Sequence, residues 1–404
     1  MRHLPYWFDR FPKTRRPSYP RLKGHQATRV VIIGGGLTGA SCALAFTSAG
    51  LDVVLLEAEL VGSGATAAGD GVVREGFSGS FTRVAAQHGV RHARALSDGM
   101  RRGGLDFASA LRRLNIRCEL APSELLTVEP SADAAKLLRR EYSVRKEAGA
   151  TAAWVTSAGL ARDAALDAGG AIRTHAAALD PYRACLGIAG AAAQRGTTIH
   201  ERSAVTRIRA STRGVEITTA GGSVRADTVV VATGAPLSDL RPLRRHLVSH
   251  LVYNVVTEPL PAAIRRQVGK RTATIEAGAG ADRLVRWIAD DRAFVGGGRQ
   301  REVPQRLRER ALTQRTGQLM YELSLMYPAI SGLQPAWSWD VVDYETVDGM
   351  PFVGSHRNFP GHLFAFTPVS HGPGLAWTAA RLLVRQYQGE AVRGDESFGF
   401  GRIL

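Results

Sequence analysis

Residues 29–39 read RVVIIGGGLTG, and residues 51–57 read LDVVLLE. These apolar, β-branched runs predict two buried strands, and the Ala-rich segment between them predicts a helix from Leu37 to about Gly50. A strand, a glycine turn, a helix and a second strand that ends in an acid are typical of a dinucleotide-binding unit. The sequence therefore predicts a Rossmann-like unit here, with NAD and FAD both open as the ligand.

Single residues of this unit have separate physical roles. Gly34 permits the tight turn after the first strand, and Gly36 leaves room for phosphates beside the backbone. Gly39 lets the helix pack closely against the strand, while Glu57 can accept hydrogen bonds from ribose hydroxyls. Because the helix directs its free N–H groups and positive dipole end toward the turn, we expect the pyrophosphate at that end.

The composition is that of an ordinary globular enzyme. The chain has 404 residues, of which 45% are hydrophobic and 22% charged, and this length suits two interleaved domains. No apolar run is long enough for a membrane span or a secretory signal, so we expect neither. Cys42, Cys118 and Cys185 lie far apart and match no metal-ligand spacing. We therefore expect no metal site and a reducing, cytoplasmic location.

The net charge of +16 could indicate an acidic partner such as RNA. Nearly all of the basic charge comes from arginines that are spread over predicted helices, and no basic stripe interleaved with aromatic residues occurs. We therefore favour solvated surface arginines, with some preference for acidic small molecules, over a nucleic-acid partner.

Signals of a dinucleotide-binding domain recur at three places along the chain. They predict an α/β fold in which residues 29–80, 176–244 and 336–404 form one discontinuous Rossmann-like domain. An arm of residues 1–28 precedes it. The intervening residues 81–175 and 245–335 predict an α+β substrate or cap domain with a mixed or antiparallel sheet.

Several motifs together resemble the family of flavin-dependent amine and amino-acid oxidases, which includes D-amino-acid oxidase, glycine oxidase and γ-glutamylputrescine oxidase. The motifs are GGGLTG at 34–39, Glu57, GSGAT at 62–66, ATG at 232–234, DGMPFVG at 348–354 and HGPGL at 371–375. Tyr6 and Trp7, ahead of the first strand, resemble the γ-glutamylputrescine-oxidase branch. The resemblance covers essentially the whole chain and implies FAD as the cofactor of the Rossmann-like domain.

The resemblance also implies which residues contact FAD. These residues are Gly34, Gly36, Leu37, Thr38, Gly39, Glu57, Ala58, Ser63, Gly64, Ala65, Thr66, Val205, Ala232, Thr233, Gly234, Gly354, Gly372, Pro373, Gly374 and Leu375. Sarcosine-oxidase relatives attach the flavin through a cysteine upstream of the late Asp-Gly turn. Here that position falls near Val341 and no cysteine follows Cys185, so we expect FAD to be bound non-covalently.

The implied reaction is oxidation of a C–N bond in an amino acid or amine by hydride transfer to flavin N5, followed by hydrolysis of the imine. An arginine would bind a substrate carboxylate, and Arg74 and Arg286 are the candidates. Tyr253 and Trp287 would line the active site, and His371 would contact flavin and substrate. The electron acceptor is dioxygen or another molecule.

Departures from the family pattern leave alternatives open. Residues 67–72 lack the histidine and arginine of sarcosine-oxidase relatives, and the strand at 292–296 lacks the lysine that helps oxygen react. Sarcosine is therefore less expected as substrate, and a dehydrogenase with another acceptor stays open. A flavin monooxygenase ranks lower, and an RNA-associated flavoprotein ranks lowest. The sequence leaves the oligomeric state unknown.

Overall fold

Two β-sheets organise the chain in the computed structural model, which describes residues 1–76, 80–129, 132–212, 214–277, 283–346 and 348–402. In chain order the strands are β1 (Gly24–Ile33), β2 (Val53–Leu56), β3 (Val72–Arg74), β4 (Ala121–Val128), β5 (Ala153–Thr156), β6 (Gly170–Ala178), β7 (Thr198–His200), β8 (Val205–Ser211), β9 (Gly214–Thr219), β10 (Gly222–Val231), β11 (Leu247–Thr257), β12 (Ala273–Ala277), β13 (Arg283–Ile288), β14 (Arg292–Arg301), β15 (Pro335–Thr346), β16 (Phe352–His356) and β17 (Phe359–Phe366).

The α-helices cover these sheets and connect their strands. In chain order they are α1 (Tyr6–Arg10), α2 (Leu37–Ser48), α3 (Ala65–Ala68), α4 (Phe81–His88), α5 (Val90–Arg113), α6 (Ala132–Glu147), α7 (Ser157–Ala164), α8 (Pro181–Gln194), α9 (Ala262–Arg265), α10 (Gln305–Met326) and α11 (Pro373–Gln388). No helix within the described ranges is both long enough and apolar enough to cross a membrane.

The first sheet has the strand order β16-β17-β10-β1-β2-β7, and β8 and β9 extend β10 as an antiparallel meander. The strands from β17 to β7 run parallel, and β16 pairs antiparallel with β17 at one edge of the sheet. Ile33 lies beside both Val231 and Leu56, so β1, β10 and β2 end at the same edge. This sheet confirms the predicted Rossmann-like fold, in which ligands bind outside the carboxyl ends of the strands.

Burial explains why the predicted strands form the centre of this sheet. The run Val53–Leu56 is buried throughout, as are the last four residues of β1. Helix α2 packs against α8 and α11 on one face of the sheet. Parallel strands covered on both faces carry such continuous apolar runs, whereas half-exposed strands alternate.

The second sheet is mixed and has the strand order β15-β11-β14-β13-β12-β4-β6-β3, with β5 paired to β6. Only β12 and β4 pair in parallel among its described strands. Side chains alternate between its faces: Leu251, Tyr253 and Val255 join the core beneath α10, whereas Val252 packs with the core shared with the first sheet. The mixed second sheet was predicted, and the structure confirms it.

Sheet membership differs in three places from the segments assigned to the dinucleotide domain. Strand β3, residues 176–178 of β6 and residues 336–346 of β15 fall within those segments, yet they pair in the second sheet. Short apolar strands of either sheet look alike in sequence, because strand pairing is decided by residues far away in the chain. The proposed domain boundaries at 80, 175, 244 and 335 stay a prediction.

Candidate active site

A cavity of about 420 Å³ lies at the carboxyl ends of the parallel strands. Its wall includes Ile33, Leu56, Ala232 and Thr367, which stand at or just beyond the ends of β1, β2, β10 and β17. The adenine end of a dinucleotide is expected near β2, since an acid follows that strand. The cavity therefore occupies the position at which a Rossmann-like sheet binds its ligand.

The glycine turn brings two backbone segments close together at this cavity. Gly34 has φ +104°, and a Cβ there would lie 2.6 Å from the carbonyl oxygen of Ala232. A Cβ on Gly39 would lie 1.8 Å from the Gly34 carbonyl oxygen. Gly36 caps α2 without a side-chain hydrogen bond, and the Leu37 N–H donates to Thr66 Oγ1 at 2.8 Å. A side chain at Gly34 would push the turn away from the end of β10, and one at Gly39 would push α2 away from the turn.

Glu57 is held by two backbone groups beside the cavity. Its Oε2 accepts from the Gly35 N–H at 2.6 Å and its Oε1 accepts from the Glu59 N–H at 2.8 Å. Burial raises the pKa of this carboxyl, and the two N–H groups partly offset the effect. Each oxygen has a second lone pair, so Glu57 can still accept hydrogen bonds from ribose hydroxyls.

A second helix begins at the same cavity. The N-cap of α11 is Gly372, with φ +77° and no side-chain capping bond, and a Cβ there would lie 2.4 Å from the Val72 carbonyl oxygen. Gly372 and Pro373 line the cavity together with Gly36 and Leu37 at the start of α2. Two positive helix ends thus face one space, and this arrangement suits a diphosphate at α2 and an electron-rich ring edge at α11.

Most residues predicted to contact FAD lie on the wall of this cavity. They are Gly34, Gly36, Leu37, Thr38, Glu57, Ala58, Gly64, Ala65, Thr66, Val205, Ala232, Thr233, Gly234, Gly372 and Pro373. Their contacts with FAD are a proposal that this geometry supports.

Five predicted FAD residues lie off the described wall and need a different account: Gly39, Ser63, Gly354, Gly374 and Leu375. Gly39 serves the packing of α2, and Ser63 donates its hydroxyl to the Leu60 carbonyl. Gly354 lies beside Gln386, and Gly374 packs against Gly104 of α5. Leu375 is buried in the core. These residues shape the surroundings of the cavity, because a motif contains packing residues as well as contact residues.

A smaller cavity of about 70 Å³ adjoins the first and shares Gly69, Asp70, Asp343 and Val369 with it. Second-sheet side chains close its other side, so it is the candidate position for a substrate. Its remaining described wall consists of Ala68, Arg74, Val252, Asn254, Glu276, Leu284, Gly296, Gly297, Arg299, Val341 and Ser370.

Arg74 lines this small cavity with its charge already paired. Its Nε and Nη2 donate to Glu276 Oε1 at 2.8 and 2.6 Å, and Nη2 also donates to Asp70 Oδ2 at 2.8 Å. Burial alone would lower the pKa of Arg74, but the two carboxylates raise it above its usual value. The predicted role of Arg74 in binding a substrate carboxylate would require it to share or lose these partners.

Arg286 does not reach either cavity, and this differs from its predicted role. Its Nη1 donates to the carbonyl oxygens of Asp70 and Leu179 at 2.5 and 2.9 Å, and its guanidinium lies 5.2 Å from the Trp7 ring centroid. Burial lowers the pKa of Arg286 to about 10. Arg286 therefore fixes the backbone around Asp70 and packs on the N-terminal arm.

Tyr253 and Trp287 point away from the cavities, also in contrast to the prediction. The Tyr253 hydroxyl accepts from Gln300 Nε2 at 2.6 Å, and Trp287 contacts Tyr327 edge-on with ring centroids 5.5 Å apart. Both belong to the core on the α10 face of the second sheet. The alternation of side chains along β11 instead directs Asn254 toward the small cavity.

His371 is buried between charged groups just ahead of α11. Burial lowers the pKa of His371 to about 4, with Asp343 raising it and Arg74 and Arg299 lowering it further. The described wall of either cavity does not include His371, although its neighbours Ser370 and Gly372 are wall residues. Its contact with flavin or substrate stays a prediction.

Several polar wall residues of the small cavity were missed by the sequence analysis. Asp343 accepts from the Val369 N–H at 2.7 Å through Oδ1 and pairs with Arg299 at 3.1 Å through Oδ2. Asn254 donates from Nδ2 to the Ala68 carbonyl at 3.3 Å. Glu276 is the only charged residue of β12, and Asn254 interrupts the apolar run at 251–256, so these patterns could have identified them.

The cysteines lie outside the two cavities. Cys42, Cys118 and Cys185 are buried free thiols, and burial raises the pKa of all three. A thiol that is buried and protonated is a poor nucleophile. Non-covalent binding of the cofactor stays a prediction, and these placements support it.

Known proteins are similar to this chain in sequence. The chain is 27% identical over 370 residues to gamma-glutamylputrescine oxidoreductase from Escherichia coli, covering 91% of this chain and 85% of the relative. Glycine oxidase from Geobacillus kaustophilus is 26% identical over 340 residues, covering 81% and 84%.

Solved structures show the same fold. The crystal structure of glycine oxidase from Geobacillus kaustophilus has a TM-score of 0.75 at 20% identity, covering 94% of this chain and 100% of that one. L-proline dehydrogenase from P. horikoshii has a TM-score of 0.74 at 16% identity, covering 94% and 97%.

The family model of FAD-dependent oxidoreductases called DAO matches residues 29–386, which include both sheets and both helix ends at the large cavity. The predicted family, its enzymatic character and its cofactor FAD are thereby confirmed. The chain belongs to the DAO family of FAD-dependent oxidoreductases.

Proposed function

We propose that this oxidoreductase oxidises a C–N bond of an amine or amino acid. The observation that carries the proposal is the small polar cavity, which shares four wall residues with the large cavity that fits FAD. A small substrate in that space would lie against the end of the cofactor nearest α11. Relatives named for glycine and γ-glutamylputrescine as substrates support the same class of reaction.

The reaction balances without a strong acid or base from the chain. Bound FAD would accept the hydride, with its electron pair, from the carbon next to nitrogen. The substrate ammonium would first lose a proton to water, and loss of hydride from the neutral amine would leave an iminium ion. Water would then hydrolyse this ion to a carbonyl compound and ammonia or a smaller amine.

The chain's own contribution would be to position the substrate and exclude water. Asn254 and Ser370 offer uncharged polar groups on the wall, and the carboxylate of Asp343 holds the backbone at Val369. Both wall guanidiniums are paired: Arg74 with Asp70 and Glu276, and Arg299 with Asp343 and Glu345.

The electron acceptor is dioxygen or another molecule in this proposal. The described wall of the small cavity includes no lysine, and its two arginines, Arg74 and Arg299, are both paired with carboxylates. A dehydrogenase with a separate acceptor is therefore the second candidate. We also propose a cytoplasmic location, which suits the free thiols of all three cysteines.

Anaerobic mixing of the purified yellow protein with candidate substrates tests the proposal. Amino acids, N-methylated amino acids, monoamines and polyamine conjugates would be added one at a time while the flavin absorbance is recorded. Loss of that absorbance with at least one C–N substrate is the expected result. Reduction by dithionite but by none of the amines or amino acids would overturn it.

Admission of oxygen to the substrate-reduced enzyme separates the two acceptors. Rapid recovery of the flavin absorbance with release of hydrogen peroxide identifies an oxidase. Slow recovery that an artificial acceptor accelerates identifies a dehydrogenase.

A further inference from the structure

A third cavity, of about 470 Å³, lies against the second sheet on the far side of Arg74 and Glu276. These two residues line both this cavity and the small one next to the FAD cavity. We name it the outer cavity. The reaction proposed above makes no use of it.

Strand pairing directs a row of side chains into the outer cavity. Leu125 and Thr127 are alternate residues of β4, and Glu129 directly follows that strand. All three line the outer cavity. Thr127 pairs with Glu276 of β12. Glu129 and Glu276 thus lie on one face of neighbouring strands, with Thr127 beside Glu276.

Glu129 is a buried carboxyl without a partner. Its residue is 7% exposed, and its side chain makes no hydrogen bond or ion pair within the part of the chain that the structure describes. Burial raises the pKa of Glu129, and no cation or N–H group offsets that effect. An unpaired buried carboxylate is costly, and a cationic group of a ligand would remove that cost.

Glu276 adds a second acceptor at the junction of the cavities. Both of its hydrogen bonds from Arg74 go to Oε1, so Oε2 has no hydrogen-bond partner among the described residues. Arg74 itself is balanced by Glu276 and Asp70 together. The junction therefore favours a passing positive charge over a negative one.

The remaining charged groups on this wall are paired or exposed, and Glu75 forms an ion pair with Arg101 at 3.8 Å. Glu141 accepts from the backbone N–H groups of Phe81 and Thr82 and pairs with Arg145 at 2.8 Å. Arg140 is exposed to solvent, so its charge is screened. Among the buried wall residues that the structure describes, Glu129 is therefore the carboxyl group that lacks a cationic partner.

Apolar residues fill much of the rest of the wall. Phe81, Leu125, Leu137, Leu138 and Ala150 line the outer cavity. Such a lining fits methylene groups, because their burial is favourable. The outer cavity therefore combines a largely apolar wall with the unpaired carboxyl group of Glu129.

We propose that the outer cavity binds a second ammonium group of the substrate at Glu129. The proposal rests on the proposed function and narrows its substrate class to diamines and polyamine-like molecules. One nitrogen would lie in the small cavity next to the cofactor, the methylene chain would pass Arg74 and Glu276, and the other nitrogen would pair with Glu129.

Matched pairs of ligands test this subsite on the holoenzyme. Putrescine would be compared with butylamine, and cadaverine with pentylamine, by calorimetric titration of the dithionite-reduced holoenzyme, in which turnover cannot contribute heat. Each diamine is expected to bind at least about tenfold more tightly than its monoamine, as a charge-assisted hydrogen bond would give. Equal affinities within a pair would overturn the subsite.

Glu129→Gln removes the charge with almost no change in shape, and the ratio of the two affinities is expected to fall close to one. Glu124→Gln is the matched control, because Glu124 lies on the same strand outside the cavity and pairs with Arg173 near the surface. This control is expected to keep the wild-type ratio. A Glu129→Gln protein that keeps the ratio would contradict the assignment of the cation to Glu129.

Anaerobic flavin reduction separates this subsite from the proposed function. Reduction of the flavin by monoamines and diamines with equal half-saturation would overturn the subsite and leave amine oxidation intact. Selective diamine binding that never leads to flavin reduction would support a cation site and overturn amine oxidation.

Discussion

Gly34 shows how a single backbone position controls the FAD cavity. Its φ of +104° is a conformation that other residues rarely adopt, and the carbonyl oxygen of Ala232 lies 2.6 Å from the place of a Cβ. Two strands of the sheet end at this contact, so neither can move aside without disturbing the other. The same contact closes the turn where the phosphates of FAD are expected.

Gly34→Ala is expected to yield protein with little or no FAD and to lower the free energy of unfolding by about 1–3 kcal/mol, because the backbone is strained and the two strand ends are forced apart. Flavin absorbance per protein and chemical denaturation measure the two effects. Gly190→Ala is the control, since no atom lies within 4 Å of a Cβ built there and α8 accepts alanine. A Gly34→Ala protein with full flavin content would refute this account.

His371 predicts a pH dependence of stability. Burial lowers its pKa from the usual 6.5 to about 4, so the folded state binds a proton less readily than the unfolded state. The contribution to stability is therefore present above pH 6.5 and is lost as the pH falls toward 4.

Chemical denaturation across that pH range measures the effect. His371→Gln is expected to reduce the slope of unfolding free energy against pH, because glutamine cannot take up the proton. The exposed His25 provides the control, and His25→Gln should keep the wild-type slope. An unchanged slope in His371→Gln would show that another group titrates.

At the scale of elements, successive side chains of strand β11 point to opposite faces of the second sheet, so structural and substrate-facing residues alternate along it. Tyr253 packs under α10, whereas the next residue, Asn254, lies on the wall of the small cavity. Adjacent residues of one strand should therefore give opposite results when they are substituted.

Tyr253→Phe removes one hydroxyl that accepts from Gln300, so we expect a loss of about 1 kcal/mol of stability with little change in flavin reduction. Asn254→Ala is expected to slow anaerobic flavin reduction about tenfold or more, because it changes the wall against which the substrate is positioned. Stopped-flow reduction and chemical denaturation of both variants test this pair. A larger kinetic effect in Tyr253→Phe than in Asn254→Ala would contradict the orientation of β11.

At the scale of the whole molecule, the large cavity, where FAD is expected, has wall residues from both sheets. Its wall takes Ile33 and Ala232 from the first sheet region and Val342 and Tyr344 from β15 of the second. A ligand that binds only the folded state stabilises it, by about 2.7 kcal/mol when its free concentration is a hundred times Kd. FAD should therefore stabilise the chain as a unit.

Removal of FAD is expected to lower the melting temperature, and added FAD should restore it as its concentration rises. Acid precipitation should leave the yellow colour in the supernatant, since we expect no covalent bond to the flavin. A yellow pellet would contradict non-covalent binding, and an apoprotein with the melting temperature of the holoenzyme would contradict the coupling. Free riboflavin, which lacks the diphosphate and adenosine, is the control and should stabilise less.

The sequence predicted the parts of the site that local backbone chemistry requires. Three features can be recognised from short segments alone: the glycine turn, the acid after β2, and the small residues after β10. Each of them reflects a close approach or a turn that few residues permit. A charged residue within an apolar strand, such as Glu276, is a similar local indication of a functional position.

Other features of the site depend on contacts between distant segments. Arg74 was predicted to bind substrate, but Glu276, 202 residues later in the chain, occupies its guanidinium. Tyr253 and Trp287 were placed on the correct strands and on the wrong face, because the position of α10 decides which face is covered. The unpartnered Glu129 also emerges only when β4, β6 and β12 are assembled.

The sequence by itself determined the dinucleotide-binding unit and the mixed second sheet, since these follow from short-range patterns of turns, hydropathy and charge, and the resemblance of its motifs indicated FAD and the family. Only the tertiary structure decided which charges neutralise each other, which face of each strand meets a cavity, and that a buried carboxyl lies in the outer cavity. Those properties depend on pairing between segments far apart in the chain, and the sequence of one segment does not contain its partner.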